Sequence, residues 1–582
     1  MRSRRFISFI FTGLLALFAL ALFVAACLRY ETLKPLLSAF TSDGNFNSLK
    51  PENTVVFKAL FAVGGFISLA LAALTSLQRW TLVGSFIKTL WGDMVIFFRF
   101  LTPSKNDLGY LVAVFVIMVL AVIYRLEFIY SSLHHDEAYT IMAFAHSLWS
   151  AVTDYHLPNN HVFHSILVYL STQLFGIQPW AVRLPAFSAG VLLSPAVYAL
   201  GKRFYDHWTG IAAALLVALS PALIGYSDNA RGYTLVALFT LLLLNLGGLV
   251  CTTKNTFAWV LISLISALGM YTVPVMLFPF GILYVWLFLE NLTEGPSPYR
   301  SRWDFLHYWL ISGFGAAFLT LLFYTPILVY SGPQKLIGNA FVTPLPRGAL
   351  WVTLAHRFSD TWAEWTFRVP LMVIILLLIG LVLSLVFHRQ LSRHRIPVQL
   401  AATLWIIALL IIQRPNAWSK VWVFLLPLLL LWATAGLVGP LRLNLFKSIP
   451  LEAIVVILAI GWGIWHAAWL APQLSELWLA HGAEERAVMY IKSVQAVGDK
   501  IVVAPPDDAP VWYYAELHGI PNIIYGRDVS FDRLFVLVDP AEGQSLEMVI
   551  EARGPDIEMV NMTSCELMGT FSKMQVYECI HK

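Results

Sequence analysis

About thirteen apolar runs, most of them long enough to cross a bilayer, leave this chain few folds to adopt. They lie near 6–28, 55–76, 109–129, 183–201, 209–226, 231–251, 256–272, 274–290, 307–330, 369–388, 398–413, 419–438 and 449–471. A membrane helix needs about 20 consecutive apolar residues, because the hydrocarbon layer is roughly 30 Å thick. In that solvent each backbone N–H and C=O must find its partner inside the segment, so runs of this kind fold as α-helices. Composition agrees: 58% of the residues are hydrophobic and 12% charged, against about 25% charged in ordinary globular chains. The sequence predicts an α-helical polytopic membrane protein. Nucleic acid is not expected among its partners.

Basic residues orient the spans. The connection His388-Arg389-Gln390-Leu391-Ser392-Arg393-His394-Arg395 is the strongest marker. The preference of Lys and Arg for the cytoplasmic side places it inside, with Lys202, Arg203, Arg300, Arg302, Arg442 and Lys447. Alternating from these anchors puts residues 130–182, 227–230, 331–368 and 414–418 outside. The run 6–28 follows Arg2, Arg4 and Arg5. It exceeds the roughly 7–15-residue core of a cleaved signal peptide, so it is expected to remain as a first helix. The stretch Val162 to Gly176 is apolar but short, and if it crossed, Lys202 and Arg203 would fall outside. It is therefore expected to lie in the interface or to re-enter. The external loop 130–182 then carries two surface helices, Glu137–Val152 and Val162–Gly176.

Three segments are expected. Residues 1–108 hold two N-terminal spans and a cytoplasmic linker, and residues 109–471 form the catalytic membrane domain. Residues 472–582 form a small extracytoplasmic α/β domain. There the chain turns polar, and β-like runs at Lys500–Ala504, Leu534–Val538 and Met574–Tyr577 alternate with helical stretches near 483–497 and 544–553. Cys565 and Cys579 flank an expected hairpin around Gly569 and can pair in an oxidising compartment. Cys27 and Cys251 read as small apolar side chains inside spans.

Three polar clusters fall on the external side. The first, His134-His135-Asp136-Glu137, follows a span directly. Ionisable groups at such a depth are expensive to keep and usually functional. Asp136 can serve as a general base or as a ligand for a hard cation near phosphate; the bland alternative is a helix start that favours acidic residues. The second is Asp154-Tyr155-His156-Leu157-Pro158-Asn159-Asn160-His161-Val162-Phe163-His164. No cysteine or firmly spaced carboxylate completes a zinc set with these histidines, so hydrogen bonding to sugar or phosphate is the better reading, with His164 packed at the interface. The third is Tyr226-Ser227-Asp228-Asn229-Ala230-Arg231-Gly232-Tyr233. Arg231 at the start of a span needs an anion, which either Asp228 or a phosphate can supply. Arg183, in Trp180-Ala-Val-Arg183-Leu-Pro185, raises the same question, with snorkelling as the alternative. Gln413-Arg414-Pro415-Asn416 with Lys420, and His356-Arg357 with Asp360 and Glu364, are weaker candidates: phosphate contacts or loop anchors.

Taken in order and spacing, these pieces resemble the GT-C glycosyltransferases, specifically glycosyltransferase family 39, which includes protein O-mannosyltransferases and lipid A aminoarabinose transferases. The resemblance covers about residues 109–440. It rests on Asp136-Glu137, Pro158–His161, Arg183–Pro185, Ser220-Pro221 and Tyr226–Tyr233. It implies transfer of a sugar from a polyprenyl-phosphate donor to a lipid, glycan or protein acceptor on the outer face of a bacterial inner or plasma membrane. Such transfer would invert the anomeric carbon by direct displacement. It also implies Asp136 and Glu137 as catalytic residues, and Arg231, Asp228, Tyr233, Arg183, Asn160 and His161 as donor or phosphate contacts. Some relatives need a divalent ion, for which Asp136 and His161 are the candidate ligands. Many carry His-Pro-Pro where this chain has Asn159-Asn160-His161. The rival classes are a transporter or flippase, which would show repeated halves and broken helices at mid-membrane, and a GT-C ligase acting on lipid-linked glycans.

Overall fold

Apolar runs in a chain this hydrophobic should become helices, and the computed structural model shows that they do. It describes residues 2–38, 49–76, 80–101, 107–293, 297–337, 343–440, 461, 465, 482–526 and 530–582. Seven described helices are long and apolar enough to cross a membrane: Thr54–Ala73, Leu108–Leu126, Pro179–Phe204, Tyr233–Thr252, Pro274–Leu292, Arg302–Tyr330 and Ser419–Val438. The bent pair His207–Leu219 and Pro221–Ser227 makes an eighth if it counts as one span. The shorter apolar helices are Thr12–Cys27, Val162–Phe175, Thr256–Thr272, Leu371–Val386 and Val398–Gln413. The expected span 449–471, the anchors Arg442 and Lys447, and the expected boundary at 471 lie outside the described residues.

The helices Pro179–Phe204 and Tyr233–Thr252 form the centre, with the others packed around them. Close helix contact is set by small residues: Gly380 and Gly436 let the helices Leu371–Val386 and Leu426–Val438 meet backbone to backbone. In lipid, where burial of apolar surface gives no drive, such close approach is what holds helices together.

Three expectations need correction. The single span expected at 209–226 is broken, with a 61° bend between Leu219 and Pro221. Pro221 has no N–H to give the preceding turn, so the helix stops and restarts there. Residues 1–108 also include a helix at Trp80–Leu101. Its Asp93 accepts the Thr256 N–H at 2.6 Å through Oδ2 and so caps the helix Thr256–Thr272. The surface helix expected over 137–152 is three pieces: an α-turn His135–Tyr139, a π-helical turn Thr140–Ala145 and a helix Leu148–Thr153. Wide turns of this kind frequently mark functional sites. The second surface helix forms at Val162–Phe175.

The C-terminal residues form a four-stranded sheet in the order β1 (Lys500–Val503), β2 (Arg533–Val538), β4 (Met574–His581), β3 (Val560–Phe571). β1 and β2 are parallel; β2–β4 and β4–β3 are antiparallel. Helices Ala483–Val494 and Leu546–Arg553 pack on it, and Asp508–Leu517 packs on Ala483–Val494. The hairpin turns at Ser572-Lys573, not at Gly569, which instead lies by an irregularity in the β3–β4 register. Cys565 and Cys579 are disulfide-bonded across it. This domain sits on the loop that carries Asp136. Tyr513 donates to Ile177 O, the Leu133 N–H reaches Tyr514 Oη at 3.3 Å, and His135 Nδ1 lies 2.9 Å from Pro506 O and 3.2 Å from Asp508 Oδ1.

Candidate functional site

Neighbouring residues on a helical turn point about 100° apart, so Asp136 and Glu137 cannot share an environment. Glu137 turns inward and is fully buried, as is Arg183. Arg183 Nε and Nη2 each bond Glu137 at 2.9 Å, one to each carboxylate oxygen. Oε1 also accepts the Ala230 N–H at 2.7 Å, and Oε2 the His134 N–H at 3.0 Å. The remaining Arg183 donors reach the carbonyls of Phe128, Ile129, Ser131 and Ser132 and the Ser131 hydroxyl. Burial alone would raise the Glu137 carboxyl; the Arg183 guanidinium holds it below its ordinary value. A bidentate Arg–carboxylate pair with every lone pair used is a geometric clamp. It ties the end of one span, the turn His135–Tyr139 and the 230 turn together. Arg183, expected at a phosphate, has its guanidinium committed here.

Asp136 turns outward, its side chain 42% exposed. Lys420 Nζ lies 3.2 Å from its Oδ2 and Arg231 Nη1 lies 3.7 Å away. Partial burial would raise this carboxyl, but Arg231 and Lys420 beside it hold it below the usual carboxylate range. Arg231 itself is buried. It donates to Asn159 Oδ1 and, at 3.4 Å, to Asp136 O, and lies 3.2 Å from His161 Nε2. Its partner is thus Asp136 and the Asn159 loop, not Asp228.

His161 is held between two donors, the Gly232 N–H at 2.8 Å on Nδ1 and Arg231 on Nε2. Burial, with Arg231 close by, pushes its imidazole well below its ordinary value, so the ring is neutral. A neutral imidazole has one N–H and one lone-pair nitrogen and cannot accept from both. The shorter contact assigns the lone pair to Nδ1, leaving an N–H facing the guanidinium. Arg231 Nε, also buried, has no partner among the described residues. The guanidinium is therefore not fully satisfied by the described protein groups.

The other sequence candidates are placed differently. Asn160 is buried and committed to the loop: it donates to Ala151 O and Asp154 O and accepts from Ser165. Its neighbour Asn159 makes the contact to Arg231. Tyr233 packs edge-on against His161 at 4.9 Å and lines the back of Arg231. Asp228 is buried, both its oxygens are unpartnered among the described residues, and burial pushes its carboxyl up to about 8 despite Arg125 and Arg183 nearby. Lys420, by sequence either a phosphate contact or a loop anchor, lies at Asp136. It projects from the helical segment Ser419–Leu425, 284 positions from Asp136, and proximity of that kind leaves no trace in local sequence. Arg357 lies flat over Trp418, 3.3 Å from the ring centroid, and braces the Lys420 segment through Asn416. The donor set does not fit a divalent ion: Asp136 and His161 have the Arg231 guanidinium between them, and among the described residues no three His, Cys, Asp or Glu side chains converge.

Residues 161–311 match the model of the dolichyl-phosphate-mannose-protein mannosyltransferase family. That stretch contains His161, Arg183 and Arg231 but neither Asp136 nor Lys420. The fold resembles ArnT from Cupriavidus metallidurans in its apo state, with a TM-score of 0.52 at 11% identity over 81% of this chain and 98% of that one. The chain is thus similar to that family over residues 161–311 and shares the fold of ArnT. The undecaprenyl-phosphate-bound form of the same ArnT superposes with a TM-score of 0.51 at 12% identity, again covering 81% and 98%. The apo oligosaccharyltransferase of Archaeoglobus fulgidus gives a TM-score of 0.44 at 12% identity, over 75% of this chain and 70% of that one. No curated protein sequence matches this chain.

Proposed function

We propose that this protein transfers a sugar from a polyprenyl phosphate to an acceptor hydroxyl on the extracytoplasmic face of the membrane, with inversion. The observation that carries the reading is the convergence of Arg231 and Lys420 on the exposed carboxylate of Asp136. Two cations and one carboxylate leave a positive excess that suits a phosphate monoester or diester. When the anomeric carbon–oxygen bond breaks, charge develops on that phosphate. Fixed cations there stabilise the transition state more than the ground state. Asp136, its carboxyl held low by the same cations, is better suited to hold them in place than to take a proton.

Two further findings support the reading. The ArnT structure of the same fold was solved with undecaprenyl phosphate bound. The Cys565–Cys579 disulfide belongs to an oxidising compartment, in line with an external C-terminal domain over the site.

The test is transfer of label from radiolabelled undecaprenyl-phosphate sugars, and from nucleotide sugars, into membrane acceptors. The wild type should use the lipid-phosphate donor alone, and Asp136→Ala should lose transfer. Movement of the lipid across vesicles without any transfer would support the flippase reading instead. Transfer undiminished in Asp136→Ala would remove that residue from the site.

A further inference from the structure

Building on that reading, a hydroxyl acceptor must lose its proton, and neither Arg231, Lys420 nor an Asp136 held low is suited to take it. Beside them stands a set of groups that is. Tyr139 lies three residues after Asp136 on the same helical turn, within the angular spread of one helix face. Its hydroxyl is 2.8 Å from His156 Nε2, and His156 Nδ1 is 2.7 Å from Asp154 Oδ1. The two contacts fix the tautomer: Nδ1–H donates to the carboxylate, and Nε2 offers its lone pair to the phenol. An imidazole oriented by a carboxylate and facing a hydroxyl has the geometry of a general base.

The assembly is held open to its surroundings. His156 and Asp154 side chains are 40% and 35% exposed. Asp154 is anchored through its carbonyl by the buried Asn160, in the same loop that lends Asn159 to Arg231. The charge-bearing groups around it are few. His135 stacks on Tyr139 at 5.9 Å, and Asp508 and Arg553 of the C-terminal domain act on Tyr139 from above. The Phe144 ring lies 5.0 Å from His156. Burial, with Asp154 and Asp508 near, raises the Tyr139 phenol, so it conducts a proton rather than standing deprotonated.

We propose that Tyr139, His156 and Asp154 form a relay that receives the acceptor's proton. The acceptor oxygen bonds to the anomeric carbon as the bond from that carbon to the phosphate oxygen breaks, its electron pair leaving on the polyprenyl phosphate. The acceptor proton passes to Tyr139 Oη while the phenolic proton passes to His156 Nε2. The resulting imidazolium is held by Asp154.

The test uses the full chain with radiolabelled undecaprenyl-phosphate mannose and other polyprenyl-phosphate sugars, membrane vesicles supplying the acceptor. Tyr139→Phe keeps the ring that packs on His135 and Phe144, and His156→Gln keeps a polar group of similar reach. Each should lower kcat by about 10²–10⁴-fold, the usual worth of a positioned base, with donor KM within about twofold of wild type. A wild-type kcat in both variants overturns the relay. So does a rise in donor KM at unchanged kcat, the pattern of a merely structural role. Wild-type protein that transfers no sugar overturns the relay together with the transferase reading.

Discussion

Replacing Arg183 by Met separates the two residues of the Asp136-Glu137 pair by what they do. The substitution removes the only side-chain cation bonded to Glu137 among the described residues, leaves that fully buried carboxylate alone, and strands four carbonyls and a hydroxyl that the guanidinium now serves. Breaking a buried ion pair from one side costs about 3–5 kcal/mol, or roughly 100- to 3,000-fold in the unfolding equilibrium at about 1.4 kcal/mol per tenfold. Glu137→Gln removes the stranded charge yet keeps an acceptor for the Ala230 N–H, so the double variant should recover much of the loss. Denaturation of the four proteins in detergent gives the coupling by a double-mutant cycle. The Glu137 carboxyl is held low in the fold. Its contribution is present above the ordinary carboxylate range and is lost as pH falls through the lowered folded value, so the coupling should shrink in acid. Additive effects, with coupling below about 0.5 kcal/mol, would refute the clamp. So would a Glu137→Gln protein that melts like wild type while transferring nothing, since that result would make Glu137 catalytic.

Asp228 is pushed up to about 8 by burial. The folded state therefore holds its proton more tightly than the unfolded one, and stability should fall as pH rises toward and through that value; Asp228→Asn should flatten this fall in melting curves taken between pH 6 and 9. Lys573 lies within 3.0 Å of Glu484, 2.7 Å of Asp507 and 3.0 Å of Asp539, all three carboxylates buried; Lys573→Met should destabilise the C-terminal domain by about 3 kcal/mol or more, seen as faster proteolysis of that domain. For topology, a cysteine at the exposed Glu542 should react with an impermeant thiol reagent from outside, and one at the exposed Arg389 should react only after the membrane is opened.

The spans were legible because hydropathy is a property of a segment and each span must satisfy its own backbone. The break at Pro221 was not, since the run on either side is equally apolar and the proline alone does not say whether a helix kinks or stops. β3 escaped notice because its residues alternate weakly, Val560 being buried while most of the strand is half or fully exposed. At the site, the Asp136-Glu137 pair and Arg231 stood out as expensive charges at a membrane edge. Which of the pair faces inward depends on Arg183, 46 positions away, and adjacency in sequence carries no such information. Asn159 and Asn160 illustrate the same point. Both lie in one polar loop, yet one braces the loop and its neighbour holds the guanidinium. The Lys420–Asp136 and Tyr139–His156 contacts arise wholly from folding.

The central claim is that Arg231 and Lys420 bind the phosphate of a polyprenyl carrier. Its most direct test is the affinity of the purified protein for undecaprenyl phosphate and for the uncharged alcohol undecaprenol. Wild type should prefer the phosphate, and Lys420→Met should weaken phosphate binding by roughly 10- to 100-fold, the worth of one charge-assisted hydrogen bond at about 1.5–3 kcal/mol, without changing affinity for the alcohol. Equal affinity for phosphate and alcohol in the wild type, or a Lys420→Met protein that binds the phosphate as tightly as wild type, would contradict the account.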